Sequence, residues 1–248
     1  DLTGGLHGGD FVIVAARPSV GKTSWALSLM RNVCRSCRAV PLIFEMEMSR
    51  LQLTHRLVSM ESGVETRVLR MRAIDSDSTF QRLADAHGTV GSWQWTVCDL
   101  SGQTPLQIRA RTMRHLAQHS DTVVIVDYIG LMAGDDKREN RTQEVSALSL
   151  SLKNLARDAN VTVKGRANHR PMLSDLRDSG SLEQDADIVA FLYREELYDR
   201  QTEKKGIAEL IIEKNRHGPT GIVPLRFDAQ TTRFDSLSNP FGGPPWQH

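Results

Sequence analysis

Cysteine is scarce in this chain, with only Cys34, Cys37 and Cys98 among 248 residues. An odd, sparse set cannot build a secreted disulfide scaffold. Cys34 and Cys37 form a C-x-x-C, yet no second such pair or close Cys/His pair completes the four ligands of a zinc site. They also fall near the end of a helix predicted from Lys22 to Val33, whereas a redox-active pair sits where a helix begins and stabilises its thiolate. The pair reads as two incidental thiols. An excess of one charge is missing too: 31 Lys and Arg against 30 Asp and Glu leave a net +1, so no overall basic field announces nucleic acid. The basic residues are mostly Arg, the better tool for gripping phosphate, though the bias alone decides nothing. Apolar runs stop well short of the roughly 18–20 residues that span a bilayer. The start, Asp1-Leu2-Thr3-Gly4-Gly5, lacks the charged-then-apolar layout of a signal peptide. Together these absences predict a cytoplasmic chain with no membrane partner.

What is present is an alternation of short β-rich runs with longer helical stretches. Phe11 to Ala15 reads as a strand buried on both faces, followed by a helix from Lys22 and a second strand, Val40 to Phe44. Polar helical segments fill roughly Arg50 to His87. Trp93 to Cys98 is strand-like, and Thr104 to Gln118 is an amphipathic helix with Pro105 in its first turn. The strongest strand, Thr122 to Val126, closes on Asp127. A helix over Thr142 to Ala159 leads to a short strand at Val161 to Val163. Ile188 to Leu192 and Ala208 to Ile212 are further strands, and Ile222 to Phe227 pairs across a turn at His217 to Thr220. This order predicts an α/β fold: a mainly parallel twisted sheet flanked by helices, with antiparallel C-terminal strands. Residues 1–235 form one domain, and 236–248, rich in Pro and Gly, a loose tail.

The chemistry-bearing segment is Ala16-Arg17-Pro18-Ser19-Val20-Gly21-Lys22-Thr23, between the first buried strand and the first helix. That context is what a phosphate-binding loop requires. Its backbone N–H groups and the helix dipole point at a β-phosphate. Lys22 neutralises β/γ oxygens, the Thr23 hydroxyl ligates Mg²⁺, and Gly21 lets the backbone approach closely. Ala16 stands where the general pattern has its first Gly. Asp127, at the carboxyl end of an apolar strand, lies on the rim where ligands of α/β sheets bind, and beside Thr23 it would complete the Mg²⁺ shell. Glu45 and Glu47 emerge after Leu42-Ile43-Phe44, on the same side if the segment stays extended. Either is a candidate to activate water, and these residues alone leave the choice open.

These pieces in this order resemble the C-terminal, RecA-like motor domain of DnaB-type replicative DNA helicases, over most of the chain. The family's phosphate loop also begins Ala-Ala-Arg-Pro-Ser, so Ala16 fits it. Leu42 to Met48 resembles its Phe-x-x-Glu-Met motif, and that alignment implies Glu47 as the water-activating residue. Asp127-Tyr128-Ile129-Gly130-Leu131 is similar to the family's Asp-Tyr-Leu-Gln-Leu element, and Glu139-Asn140-Arg141 also recurs there. The most specific stretch is Ser174 to Asp187, which general ATPases lack. The resemblance implies that Arg177, Asp178 and Gly180 face a central channel and grip the backbone of single-stranded DNA without reading sequence. Glu213 to Gly218 resembles the Lys-x-Arg-x-Gly element, implying that Arg216 reaches a neighbour's ATP as an arginine finger with Lys214 as its companion. The implied assembly is a homo-oligomer, by family a hexameric ring working 5′ to 3′, with ATP and Mg²⁺ as cofactors and primase and a helicase loader as partners.

Two departures stand out. The segment from Val161 to Pro171 is much shorter than the family's and lacks its γ-phosphate-sensing Gln and basic loop, through either a true deletion or ends joined around a missing stretch. The helical domain that precedes the family's motor is also absent before Asp1. Two other functions therefore stay in view: a RecA-like recombination ATPase, and a DNA-binding or assembly module that has lost turnover.

Overall fold

The structure, a computed structural model, describes residues 3–36, 39–127, 129–132, 141–167 and 180–237, with backbone alone at 130, 141–142, 166–167 and 180–181. Nine strands form one sheet in the order β3-β2-β4-β5-β1-β6-β7-β8-β9. The strands are β1 (Phe11–Ala15), β2 (Val40–Glu45), β3 (Thr96–Cys98), β4 (Thr122–Asp127), β5 (Thr162–Ala167), β6 (Ile188–Tyr193), β7 (Ile207–Asn215), β8 (Gly221–Asp228) and β9 (Arg233–Ser236). From β3 to β6 every pairing is parallel. From β6 onward all are antiparallel. The predicted α/β class and its antiparallel extension are both observed.

All five residues of β1 are buried, as expected of a strand covered on both faces. Phe11, Ile13 and Ala15 point into a core with Leu148, Leu152 and Leu155 of helix α6 (Arg141–Ala159) and Ile108 of α5 (Pro105–Leu116). Val12 and Val14 face the other way, where a second layer is built by α1 (Lys22–Ser36), α2 (Arg50–Ser62) and α4 (Asp77–Ser92). Leu27 and Met30, Leu53 and Leu57, and Leu83 and Val90 close that layer over Ile43 and Ile125.

The polar stretch read as Arg50 to His87 resolves into α2, α3 (Thr66–Met71) and α4. Ser49 and Gln52 form a capping box that starts α2, and Gly63, left-handed at φ 65°, ends it. Ser76 caps α4, which runs on to Ser92, and the strand expected from Trp93 is reduced to Thr96–Cys98 in β3. Thr104, Pro105 and Gln107 start α5 with a second capping box. The expected Val161–Val163 strand runs instead to Ala167, because pairing with the whole of β1 holds residues whose own sequence, Lys164-Gly165-Arg166, gives little strand signal. Gly165 leaves room there for the Ile129 side chain, whose Cδ1 would lie 2.5 Å from an added Cβ and would have to move. Strand β9 carried no recognised sequence signal. Burial pushes the Cys34 thiol up to about 11, which suits an inert cysteine. Cys37, Tyr128, Glu139, Asn140, Arg177, Asp178 and residues 238–248 of the expected tail lie outside the described residues. Among the described residues no helix is long and apolar enough to cross a membrane.

One core residue runs against its surroundings. Lys164, in β5 next to β1, is 1% exposed, and its Nζ lies 3.2 Å from the centre of the Trp25 ring with no hydrogen-bond partner among the described residues. A cation over a desolvated indole gains about 2 kcal/mol, but removing an ammonium from water costs several. Desolvation wins, and burial drives the Lys164 pKa well below the ordinary lysine value. The folded chain therefore releases this proton at a lower pH than the unfolded chain, which keeps it up to about pH 10.4. Because the unfolded state binds more protons, stability rises with pH between the folded and unfolded pKa values. Lys164→Met should stabilise the chain by about 1–3 kcal/mol at pH 7.5 and flatten the rise from pH 7.5 to 9.5. Thermal melts of both proteins across that range check it, and parallel curves would refute it.

Candidate nucleotide site

The candidate site grows from the end of β1. The chain leaves Ala15, buries Ala16 and Val20 against Leu192, Ala208, Phe227 and Phe234, and enters α1 at Lys22. Two left-handed residues make the turn: Ser19 at φ 67° and Gly21 at φ 108°. Glycine suits position 21 on two counts, since its φ strains any side chain and a Cβ would also press on the Phe234 ring at 3.2 Å. The turn is closed by Val20 N donating to Arg17 O at 3.4 Å and Trp25 N to Gly21 O at 2.9 Å. Exposed Pro18 and Ser19, with Gly21, Lys22 and Thr23, form one wall of a cleft of about 380 Å³. The first-turn N–H groups of α1 sit at its floor, where helix ends favour anions.

The opposite walls contain residues that sequence reasoning missed. Arg56 of α2 and Arg194 line the cleft with Lys22, giving it three cationic side chains. Arg56 donates to Ser24 Oγ at 3.3 Å. Burial lowers its pKa and the Glu45 carboxylate works against that fall. Arg194 is held by Val20 O at 3.3 Å, by the Glu196 carboxylate, and by the Phe227 face at 3.7 Å. Thr232, left-handed at φ 55° in the β8–β9 turn, completes the rim. The helical spacing of Arg56 beside buried Leu53 and Leu57 was the available signal, but a flanking Arg on a polar helix looks like any solvated residue. Arg17, expected in the phosphate loop, instead lies over the Tyr198 ring at 5.1 Å and does not line the cleft.

The two glutamates separate cleanly. Glu45 is the last residue of β2, 1% exposed, paired in register with Asp127, and its Oε1 accepts the N–H groups of Glu47 and Met48 at 3.0 and 3.1 Å. The chain bends there, so the two do not share a side of an extended segment as the alternation implied. Glu47 is exposed and lines the cleft facing Lys22 and Thr23. The buried glutamate shapes the bend, and the exposed one is presented to the cleft. Asp127, 1% exposed, ends β4 on the same rim and does not line the cleft. It is set back because β5 lies between β4 and β1. The donor set on this rim, a hydroxyl and carboxylates, consists of hard oxygens of the kind Mg²⁺ accepts.

Arg216 and Lys214 are elsewhere. Strand β7 is antiparallel to β6, so its carboxyl end lies at the amino edge of the parallel strands. Arg216 N donates to Asp187 O, and Asp187 N to Phe11 O, at 2.9 and 2.8 Å, fixing Arg216 level with the first residue of β1. At about 3.3 Å per residue, the four steps from Phe11 to Ala15 put it roughly 13 Å from even the start of the phosphate loop. Within one chain the two halves of the expected site are held apart. Lys214 Nζ donates to the carbonyls of Glu183 and Gln184 at 2.6 and 3.2 Å, at the end of α7 (Gly180–Asp185). Gly180, an expected DNA contact, is the first residue of that helix.

A model of the DnaB-like helicase C terminal domain matches residues 1–236. The chain is 38% identical to the replicative DNA helicase DnaC of Bacillus subtilis, over 98% of this chain and 57% of that protein. It is 39% identical to the replicative DNA helicase DnaB of Geobacillus stearothermophilus, over 97% of this chain and 55% of that protein. The chain thus spans little more than half the length of these relatives. The Bacillus alignment covers 258 positions against a chain of 248, so that relative carries residues this one lacks. Among solved structures, one ATPase domain superposes with a TM-score of 0.89 at 33% identity, covering 94% of this chain and 86% of that one. A DnaB-like replicative helicase, solved in a study of its interactions with primase, gives 0.91 at 33% identity, covering 94% of this chain and 59% of that one. Sequence and fold agree over nearly the whole length, and the chain belongs to the DnaB-like helicase C-terminal domain family.

Proposed function

We propose that this chain is the ATP-hydrolysing motor of a replicative DNA helicase, active as a homo-oligomeric ring. The observation that carries the reading is the split site: a cationic cleft at one edge of the sheet and Arg216 at the other. An arginine half exposed at the edge remote from its own phosphate loop has a catalytic use only against a second copy. Head-to-tail contact of two such chains brings opposite edges together, and a closed ring repeats that contact without loose ends.

In this reading the triphosphate lies along the loop Ala16 to Thr23, its β-phosphate on the N–H groups at the head of α1 and its oxygens neutralised by Lys22, with Arg56 and Arg194 lining the same cleft. Thr23 and Asp127 are the residues that would hold Mg²⁺, which when bound neutralises charge across the β- and γ-oxygens. Glu47 orients water and takes its proton, with Glu45 fixing the bend that presents it. Arg216 and Lys214 of a neighbouring copy meet the charge that develops on the γ-phosphoryl. Arg177, Asp178 and Gly180 face single-stranded DNA in the channel, and translocation runs 5′ to 3′. Six copies make the ring, with primase and a helicase loader as partners in the cytoplasm. The motor unit closes with β9, which takes in Ser236, one residue past the expected boundary at 235.

Three measurements test this. Glu47→Gln should lower ATP turnover by about 10²–10⁴-fold while leaving binding of a fluorescent ATP analogue in place, whereas Lys22→Ala should lose binding as well. Equal binding loss in both would remove Glu47 from the role of base. Mixing Arg216→Ala with Lys22→Ala chains, each inactive alone, should restore hydrolysis at seams that pair an intact loop with an intact finger. No recovery in a verified mixed oligomer would show that Arg216 does not act across a seam. Strand displacement on a forked duplex should depend on ATP; filament formation without displacement would favour a recombination ATPase.

A further inference from the structure

We propose that Asp187 is the positioning residue for Arg216, and that with Lys214 it ties the arginine finger to α7, the helix that begins at Gly180. The inference rests on the reading of Arg216 as a finger. Asp187 is 3% exposed and lies between α7 and β6. Its two oxygens divide their work. Oδ2 accepts Phe11 N at 2.8 Å and the Lys153 ammonium, tying the carboxylate to β1 and α6. Oδ1 accepts Arg216 Nη1 at 2.9 Å. A strut between β1 and β6 needs only the first oxygen; the second is used to aim a guanidinium that is half exposed.

The electrostatics agree with the geometry. Burial alone would raise the Asp187 pKa, but hydrogen bonds from Lys153 and Phe11 and the charges of Lys153 and Arg216 outweigh it and hold the group ionised. A buried carboxylate anchored from two sides is a fixed point, so the guanidinium it holds has a defined resting place. Lys214 supplies the second tie. Its ammonium caps the carbonyls of Glu183 and Gln184, the seat that a helix end offers a cation. Gly180 and these carbonyls belong to the same short helix. Any displacement of α7 therefore bears on both Lys214 and the Asp187 that follows, and the position of the finger is tied to that helix.

The test is a double-mutant cycle on ATP hydrolysis stimulated by single-stranded DNA, in the oligomeric protein. Asp187→Asn keeps the shape and removes the charge that orients Arg216. It should lower kcat by about 10–100-fold, as small misplacements of catalytic groups do, with little change in KM. In the Arg216→Ala background the same substitution should cost nothing more. Lys153→Met breaks the same buried network without touching Arg216, and should lower the melting temperature while leaving kcat near wild type. Additive losses in the cycle, unchanged kcat in Asp187→Asn, or an equal kcat loss in Lys153→Met would each reduce Asp187 to a strut and overturn the proposal. Where Asp187→Asn does not fold, Asp187→Glu serves, since its longer reach displaces the guanidinium by about 1 Å; the same three outcomes decide. If Arg216→Ala alone keeps full kcat, the finger reading fails instead, which is a distinct result.

Discussion

The reversal of chain direction between β6 and β7 governs everything else in this molecule. Six parallel strands deliver their carboxyl ends to one edge of the sheet, so the phosphate loop after β1, the bend after β2 and Asp127 at the end of β4 share a rim. Antiparallel β7 returns its carboxyl end, with Lys214 and Arg216, to the other rim. No side-chain rotation in a single copy closes a gap of that size. In a sheet parallel throughout, β7 would end on the same rim as the phosphate loop. The antiparallel turn places Arg216 on the opposite rim, and under the proposed function that separation is what makes catalytic completion depend on a second copy.

Capture itself is a matter of surrounding a triphosphate with fixed positive charge. Lys22 is legible because a buried strand, a turn and a helix start surround a Gly-Lys-Thr. Arg56 and Arg194 were not legible, because their roles come from tertiary placement: one flanks the buried stripe of α2, the other follows β6 and is held against the Phe227 ring. The three cations are each more than thirty residues apart along the chain, and no spacing rule spans that distance. Arg17 shows the converse. Its position in the loop suggested a phosphate contact, yet its guanidinium finds the Tyr198 face and does not line the cleft.

The fold was legible wherever pattern and pairing agreed. Strands β1, β2 and β4 are apolar, β-branched and flanked by turns, and their observed bounds differ from the expected ones by no more than a residue. β5 was cut short because its second half carries Lys164 and Gly165, and only the register with β1 explains why they remain in the sheet. Gly165 is there because Ile129 occupies the space of a Cβ, a reason invisible along the chain. Glu45 and Glu47 were indistinguishable by period-two alternation, since that argument assumes an extended backbone. The backbone bends because Glu45 itself accepts the two N–H groups that follow it. The residue that misled the alternation is the residue that resolves it.

Two buried carboxylates stand at opposite rims, and their different surroundings suit different tasks. Glu45 is covered at the end of β2, beside Asp127, and commits its Oε1 to backbone amides, so it sets a shape. Asp187 is reached from β1, α6 and β7 and divides its oxygens between an amide and two cations, so it sets a position. A shape-setting acid tolerates a fixed environment; a position-setting acid must hold a group that also has to leave. The Arg216 bond meets that demand, because it joins a buried oxygen to a half-exposed guanidinium that water can reach, while the Phe11 amide keeps its hold on the other oxygen. Under the proposed finger role, exchange of Arg216 for water therefore leaves the carboxylate seated on β1, with or without Lys153.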